Sequence, residues 1–122
     1  MTTATFHRWN ELPTDAPMDL VERRRIIGQH AMISHVRLKK GCYVPTHQHP
    51  NEQFAVVISG RIRFGIGEAD EPGAIEDSVI LEAGDVLEIP ANAPHSAEAL
   101  EDTLVLDVFS PPSETTGVDH AS

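Results

Sequence analysis

The stretch "THQHPNEQ", residues 46–53, sets two imidazoles and a carboxamide at odd-numbered positions, with Pro50 and Asn51 between them. Side chains of an extended strand alternate between faces, so residues of one parity share a side. His47, His49 and Gln53 share parity; Glu52 does not. If strand pairing continues past Pro50, the neutral Gln53 lies on the imidazole side, and the better donor Glu52 points away. A lone histidine is more often satisfied by a backbone partner than by a metal. Here a third imidazole follows downstream in "GDVLEIPANAPHS", where Gly84 and Pro90 delimit a short strand and His95 comes after a turn rich in Pro and Asn. Three imidazoles and one amide oxygen suit a single divalent transition ion: Mn, Fe, Co, Ni, Cu or Zn.

Outward from this stretch, the hydrophobic pattern is one of short strands. "RRRIIG", "AMISHVRL", "YVPTHQH", "QFAVVISG", "RIRFGIG", "SVILEAG", "DVLEIP" and "TLVLDVF" are separated by turn residues such as Gly41, Ser59-Gly60 and Ala83-Gly84. Eight such runs without a long amphipathic helix predict an all-β sandwich or barrel. One short helix is expected after Pro17, within positions 11–24. In "RIRFGI" the arginines alternate with Ile62, Phe64 and Ile66, so Arg61 and Arg63 face water. "TLVLDVF" is largely apolar on both faces, which leaves Asp107 among apolar neighbours, an unusual place for a carboxylate. It shares parity with Val105 and Phe109, so the three line one face. Phe54, Val56 and Ile58 of "QFAVVISG" are expected outside the barrel, against a second copy of the chain, and a homodimer is the expected assembly. Arg23, Arg24 and Arg25 alternate on the first strand. Exposure is the expectation for each, while any that points inward, Arg25 being the candidate, would hold a substrate carboxylate by a two-pronged contact.

Composition bounds the function. The 122 residues fit one domain. We divide them into an N-terminal arm (1–21), a barrel (22–110) and a mobile tail (111–122). All nine Lys and Arg lie at or before Arg63 with five acids, a balance of +4, whereas residues 64–122 carry fourteen acids and no Lys or Arg. The net charge of −10 argues against nucleic acid and anionic membranes as partners. Cys42 is the only cysteine, which excludes an internal disulfide, suits a cytoplasmic location and reads as a small buried hydrophobe. "GEADEPGAIEDS" reads as an acidic loop between strands.

The two framed stretches resemble the two motifs of the cupin family, a single-domain jelly-roll barrel or double-stranded β-helix. "GCYVPTHQHPNEQFAVVISG" is similar to the first, from Gly41 through His47, His49 and position 53 to Gly60, and "GDVLEIPANAPH" to the second, with Gly84, Pro90 and His95. Gln53 stands where the family usually has Glu, Asn92 where it has Gly, and Ala99 where an Asn often closes the motif. Asn tolerates the left-handed backbone a glycine would adopt. Within the family, "HPNEQ", the arginine-rich early strand and "ALEDTLVLDVFSPP" resemble small cupins that open the ring of unsaturated uronates in pectin and alginate breakdown. That resemblance implies a metal on His47, His49, Gln53 and His95, Asp107 as the proton-transfer residue, and Phe109 as a cavity aromatic. A glutamine leaves the site at +2 where a glutamate would make it +1, which favours Lewis-acid chemistry over dioxygen activation. The leading expectation is a lyase or isomerase acting on a small oxygen-rich substrate such as a sugar acid. An Fe-dependent dioxygenase and a non-catalytic small-molecule sensor are the alternatives.

Overall fold

Period-two hydrophobicity becomes nine strands in the computed structural model, which describes residues 3–67 and 77–113. They are β1 (Val21–Ile27), β2 (Met32–Leu38), β3 (Tyr43–His47), β4 (Glu52–Ser59), β5 (Arg61–Ile66), β6 (Ser78–Glu82), β7 (Val86–Ile89), β8 (His95–Ala99) and β9 (Thr103–Ser110). Two antiparallel sheets form, ordered β1-β2-β9-β4-β7 and β3-β8-β5-β6. Their inner faces bury Val36, Leu38, Val44, Val57, Ile62, Phe64 and Val105. On β9 the alternation is strict: Thr103, Val105, Asp107 and Phe109 are buried, while Leu104, Leu106 and Val108 are only half-covered. Cys42 is buried, and that burial pushes its thiol pKa up.

Four expectations need correction. The short helix after Pro17 is absent. Residues 17–20 form a bend and turn leading into β1, and the described residues contain only a 3-10 turn at Trp9–Glu11. Pro13 and Pro17 remove two amide donors there, and Asp15 instead makes a two-way backbone bridge to Arg23 that keeps the arm extended. The strand holding His47 does not continue past Pro50. β3 ends at His47 in one sheet, and β4 begins at Glu52 in the other. The third correction is a ninth strand, β8, within "HSAEA". Small residues hide its strand character, but it is held between β3 and β5 with Ala97 and Ala99 packed inward. Lastly, Arg23 is not exposed. It is 3% accessible because Asp15 Oδ1 and Oδ2 accept from its Nε and Nη2 at 3.0 and 2.8 Å.

One turn demands its glycine. Gly60 has φ +89°, and a Cβ there would lie 2.3 Å from the carbonyl oxygen of Asp102. Most of the acidic loop (68–76) and most of the tail (114–122) lie outside the described residues. Among the described residues, no helix is long and apolar enough to cross a membrane.

Candidate metal centre

Both sheets contribute to one cluster at one end of the interior. His47 is the last residue of β3, and His95, the first of β8, stands opposite it in register. His49 sits in the crossover between sheets, and Gln53 enters from β4. Because the crossover changes sheets, and both sheets turn their inner faces to one cavity, Gln53 still arrives beside the imidazoles. Glu52 is exposed, whereas Gln53 is buried.

Each imidazole is oriented by a backbone carbonyl two residues away. Nδ1 of His47 meets Pro45 O at 2.8 Å, Nδ1 of His49 meets Asn51 O at 2.9 Å, and Nδ1 of His95 meets Ala93 O at 2.8 Å. A carbonyl only accepts, so each Nδ1 carries a proton, and in the neutral ring Nε2 is left with the lone pair. One ring nitrogen from each of the three histidines can be chosen so that all lie within 4.8 Å of one another. Nε2 of His95 is buried and without a hydrogen-bond partner. Burial, with smaller contributions from His47 and His49, lowers the pKa of His95 to about 4, so it is a neutral donor at physiological pH. Nε2 of His49 lies 3.1 Å from Oε1 of Gln53. In the neutral ring with Nδ1 protonated, these are two acceptors face to face, an arrangement a shared cation relieves. The donor set therefore fits one divalent ion held by His47, His49, His95 and Gln53.

The loop that carries His49 is tied down from two sides. Asn92, at φ +64°, donates its backbone N–H to His49 O at 2.7 Å. The side chain of Asn51 donates to Pro111 O, just past β9. Asn51 is 2% accessible, and sequence reasoning missed it. Its signal was a polar side chain immediately after Pro50, in a segment whose partner lies sixty residues away.

Asp107 lines the cavity, and Phe109 is buried behind His49. Gln53 Nε2 donates to Asp107 Oδ1 at 2.9 Å. Burial pushes the Asp107 carboxyl up to about 6, against the opposite pull of that hydrogen bond. The Phe109 ring packs edge-on to His49 at 5.6 Å between centroids. A cavity of about 30 Å³, lined by His47, Gln53, His95, Asp107 and the apolar core, has room for one or two waters. Arg25 lies on the inner face in the same cross-sheet row: it pairs with Ser34, which pairs with Asp107. Its guanidinium is turned to Asp15 at 3.6 Å and lines a separate groove with Pro13, Asp15 and Arg23, not the cavity of the imidazoles. Arg24 takes the opposite face of β1, near Glu22.

The cupin domain family matches residues 34–109 of this sequence, which span every residue of the cluster. The chain is a member of the cupin family. Its fold is that of KdgF from Halomonas sp., at TM-score 0.80 and 25% identity over 92% of this chain and 97% of that one. An RmlC-like cupin from Shewanella frigidimarina superposes at TM-score 0.77 and 19% identity, over 92% and 95% of the two chains. The Bacillus subtilis oxalate decarboxylase, whose Mn(II) centres have been characterised, gives TM-score 0.74 and 25% identity, with 95% of this cupin covering 33% of that chain. No curated protein matches this cupin in sequence.

Proposed function

We propose that this cupin is a metal-dependent lyase or isomerase that moves a proton on a small oxygen-rich substrate, with an unsaturated sugar acid as the first candidate. One observation carries the reading: a buried carboxylate, Asp107, sits one hydrogen bond from Gln53 at the edge of the three-histidine cluster. The sequence resemblance to uronate ring-opening cupins and the end-to-end likeness to KdgF support it.

A divalent ion of the Mn-to-Zn series on His47, His49, His95 and Gln53 would polarise a substrate oxygen and acidify the neighbouring C–H or O–H bond. The protein supplies the rest. With its pKa near 6, Asp107 is largely ionised at neutral pH, and a bound cation lowers that value further. It therefore starts as the base, its Oδ1 held by Gln53. After accepting the proton it can return it to a different atom of the same substrate, which is the balance an isomerisation or ring opening requires. Phe109 supplies an apolar wall that limits water access. Arg25, in the row of Asp107, pairs with the substrate carboxylate.

The same reading includes a homodimer built on the outer face of the β1-β2-β9-β4-β7 sheet. Ile58 and Val86 lie there at 45% and 55% exposure beside half-covered Phe54, Val56 and Leu106. A dimeric mass in solution that becomes monomeric with Val86→Glu supports it, and a monomer at micromolar concentration ends it.

The function is tested by elemental analysis of the purified protein, then an absorbance assay on unsaturated uronates with and without oxygen. Oxygen-independent turnover that Asp107→Asn lowers by about 10²-fold or more, with metal content unchanged, is the expected result. Strict oxygen dependence would favour a dioxygenase instead.

A further inference from the structure

A glutamine is an ambiguous metal ligand. Its two terminal atoms have nearly the same size, but only the oxygen has a lone pair to give, and the NH2 group repels a cation. A glutamate needs no such choice. Something in the surroundings must therefore select which end of the Gln53 amide faces the imidazoles. Two contacts and the strand register bear on it. Oε1 lies 3.1 Å from His49 Nε2, and Nε2 donates to Asp107 Oδ1 at 2.9 Å. Gln53 and Asp107 are also diagonal neighbours on adjacent strands, since Gln53 pairs with Phe109 and Ala55 with Asp107.

We propose that Asp107 is a positioning residue for the metal centre: its carboxylate captures the amide nitrogen of Gln53 and so turns the amide oxygen toward the three imidazoles. The inference rests on the metal-centre reading and gives Asp107 a task separate from proton transfer. A carboxylate oxygen only accepts, so it selects the NH2 end. The flipped amide would set oxygen against oxygen at Asp107 and N–H groups against the ligand cluster. Backbone register fixes the spacing of the pair, so the selection is built before any ion arrives. The pairing also accounts for the departure from the family's usual Glu: at position 53 a glutamate would offer no N–H and would face Asp107 carboxylate to carboxylate.

The test is a metal-affinity cycle that needs no substrate. Metal-free wild type, Asp107→Leu, Asp107→Asn, Gln53→Glu and the double variant Gln53→Glu/Asp107→Leu are titrated with Mn(II) or Ni(II) against a chromogenic chelator, with thermal melts confirming the fold. Asp107→Leu should weaken binding by about 10-fold or more, the usual effect of losing an outer-shell partner. Asp107→Asn should lose clearly less than Asp107→Leu, because its amide oxygen still accepts from Gln53 and only the through-space attraction of the charge is gone. In the Gln53→Glu background, Asp107→Leu should cost much less affinity than in the wild-type background, since either carboxylate oxygen of the glutamate can ligate and no amide needs orienting. Should Asp107→Leu not fold, Asp107→Ala completes the same cycle. Equal losses in both backgrounds would make Asp107 merely structural and overturn the proposal, as would an undiminished affinity in Asp107→Leu. Failure of wild type to bind either ion would remove the metal-centre reading itself, a distinct result.

Discussion

The interior has two ends that share the same strands. At one end Val36, Val44, Val57, Ala97 and Val105 form an apolar core. A step of two or three residues along those strands replaces them with Ser34, His47, His95 and Asp107, with Gln53 at the same level. Asp107 lies two residues from Val105, and Ser34 two from Val36, on the same inner face. Alternation guarantees that such neighbours point the same way, so the scaffold that packs the valines also aims the ligands. The difference shows how one architecture divides its labour: the apolar end supplies the free energy of folding, and the polar end spends part of it on burying donors.

The sharpest break between the two ends comes from crossed substitutions. His95→Ala should lower metal affinity by more than about 100-fold, beyond an outer-shell change, while leaving the fold cooperative. Elemental analysis and a melting curve read both halves of that statement. Ile62→Ala at the apolar end should do the reverse, costing about 2–5 kcal/mol in denaturant unfolding with the metal stoichiometry intact. Loss of metal in a still-folded Ile62→Ala protein would erase the division.

Asp107→Asn should raise stability while lowering turnover. Its carboxyl pKa is raised from 3.8 to about 6 on folding, so the native state prefers it protonated. The stability linked to it is fully present below pH 3.8 and is lost as pH rises through about 6. At pH 7 the metal-free Asn variant should therefore be more stable than wild type by up to roughly 3 kcal/mol, with the advantage gone below about pH 4. His95 runs the other way: its pKa falls from 6.5 to about 4, so its stability is present above pH 6.5 and is lost as pH drops toward 4. Between these limits the two oppose each other, and urea titrations of the metal-free wild type from pH 6 to 4 should show a shallower slope than Asp107→Asn. Parallel slopes would mean that Asp107 is not buried as described.

The smallest expected effect separates two adjacent arginines. Arg25→Ala should raise KM for an acidic substrate by about 10-fold, the worth of a charge-assisted hydrogen bond. Arg24→Ala, on the outer face, should leave it unchanged. Equal effects would show that the inner row does not reach the substrate.

Much of this was legible in residue order. The period-two runs mark eight of the nine strands, and the spacing of His47, His49, Gln53 and His95 marks the cluster, because alternation and turn residues are local properties. Non-local features were not. β8 is extended because β3 and β5 flank it, not because "HSAEA" prefers a strand. Arg23 is buried because a carboxylate eight residues earlier meets it. Gln53 faces inward as parity demands, but the continuous strand behind that argument does not exist, and the agreement comes from two sheets facing one cavity. The Gln53–Asp107 hydrogen bond spans fifty-four positions and depends on the register of β4 with β9.

The bridge between Asp15 and Arg23 bears on how the molecule remains a discrete particle. β1 is the last strand of its sheet, and an uncovered margin of amides and carbonyls is a template on which another chain can add. By bonding to Arg23 in both directions, Asp15 occupies the middle of that margin, and its carboxylate locks the contact. The arm thus covers part of the edge at which open-ended strand addition would begin. A chain shortened to begin after Asp19 should keep its ligands yet form soluble oligomers or fibrils whose growth rises with concentration, visible by light scattering. The substitution Asp15→Asn should do so more weakly, because it retains the backbone bridge.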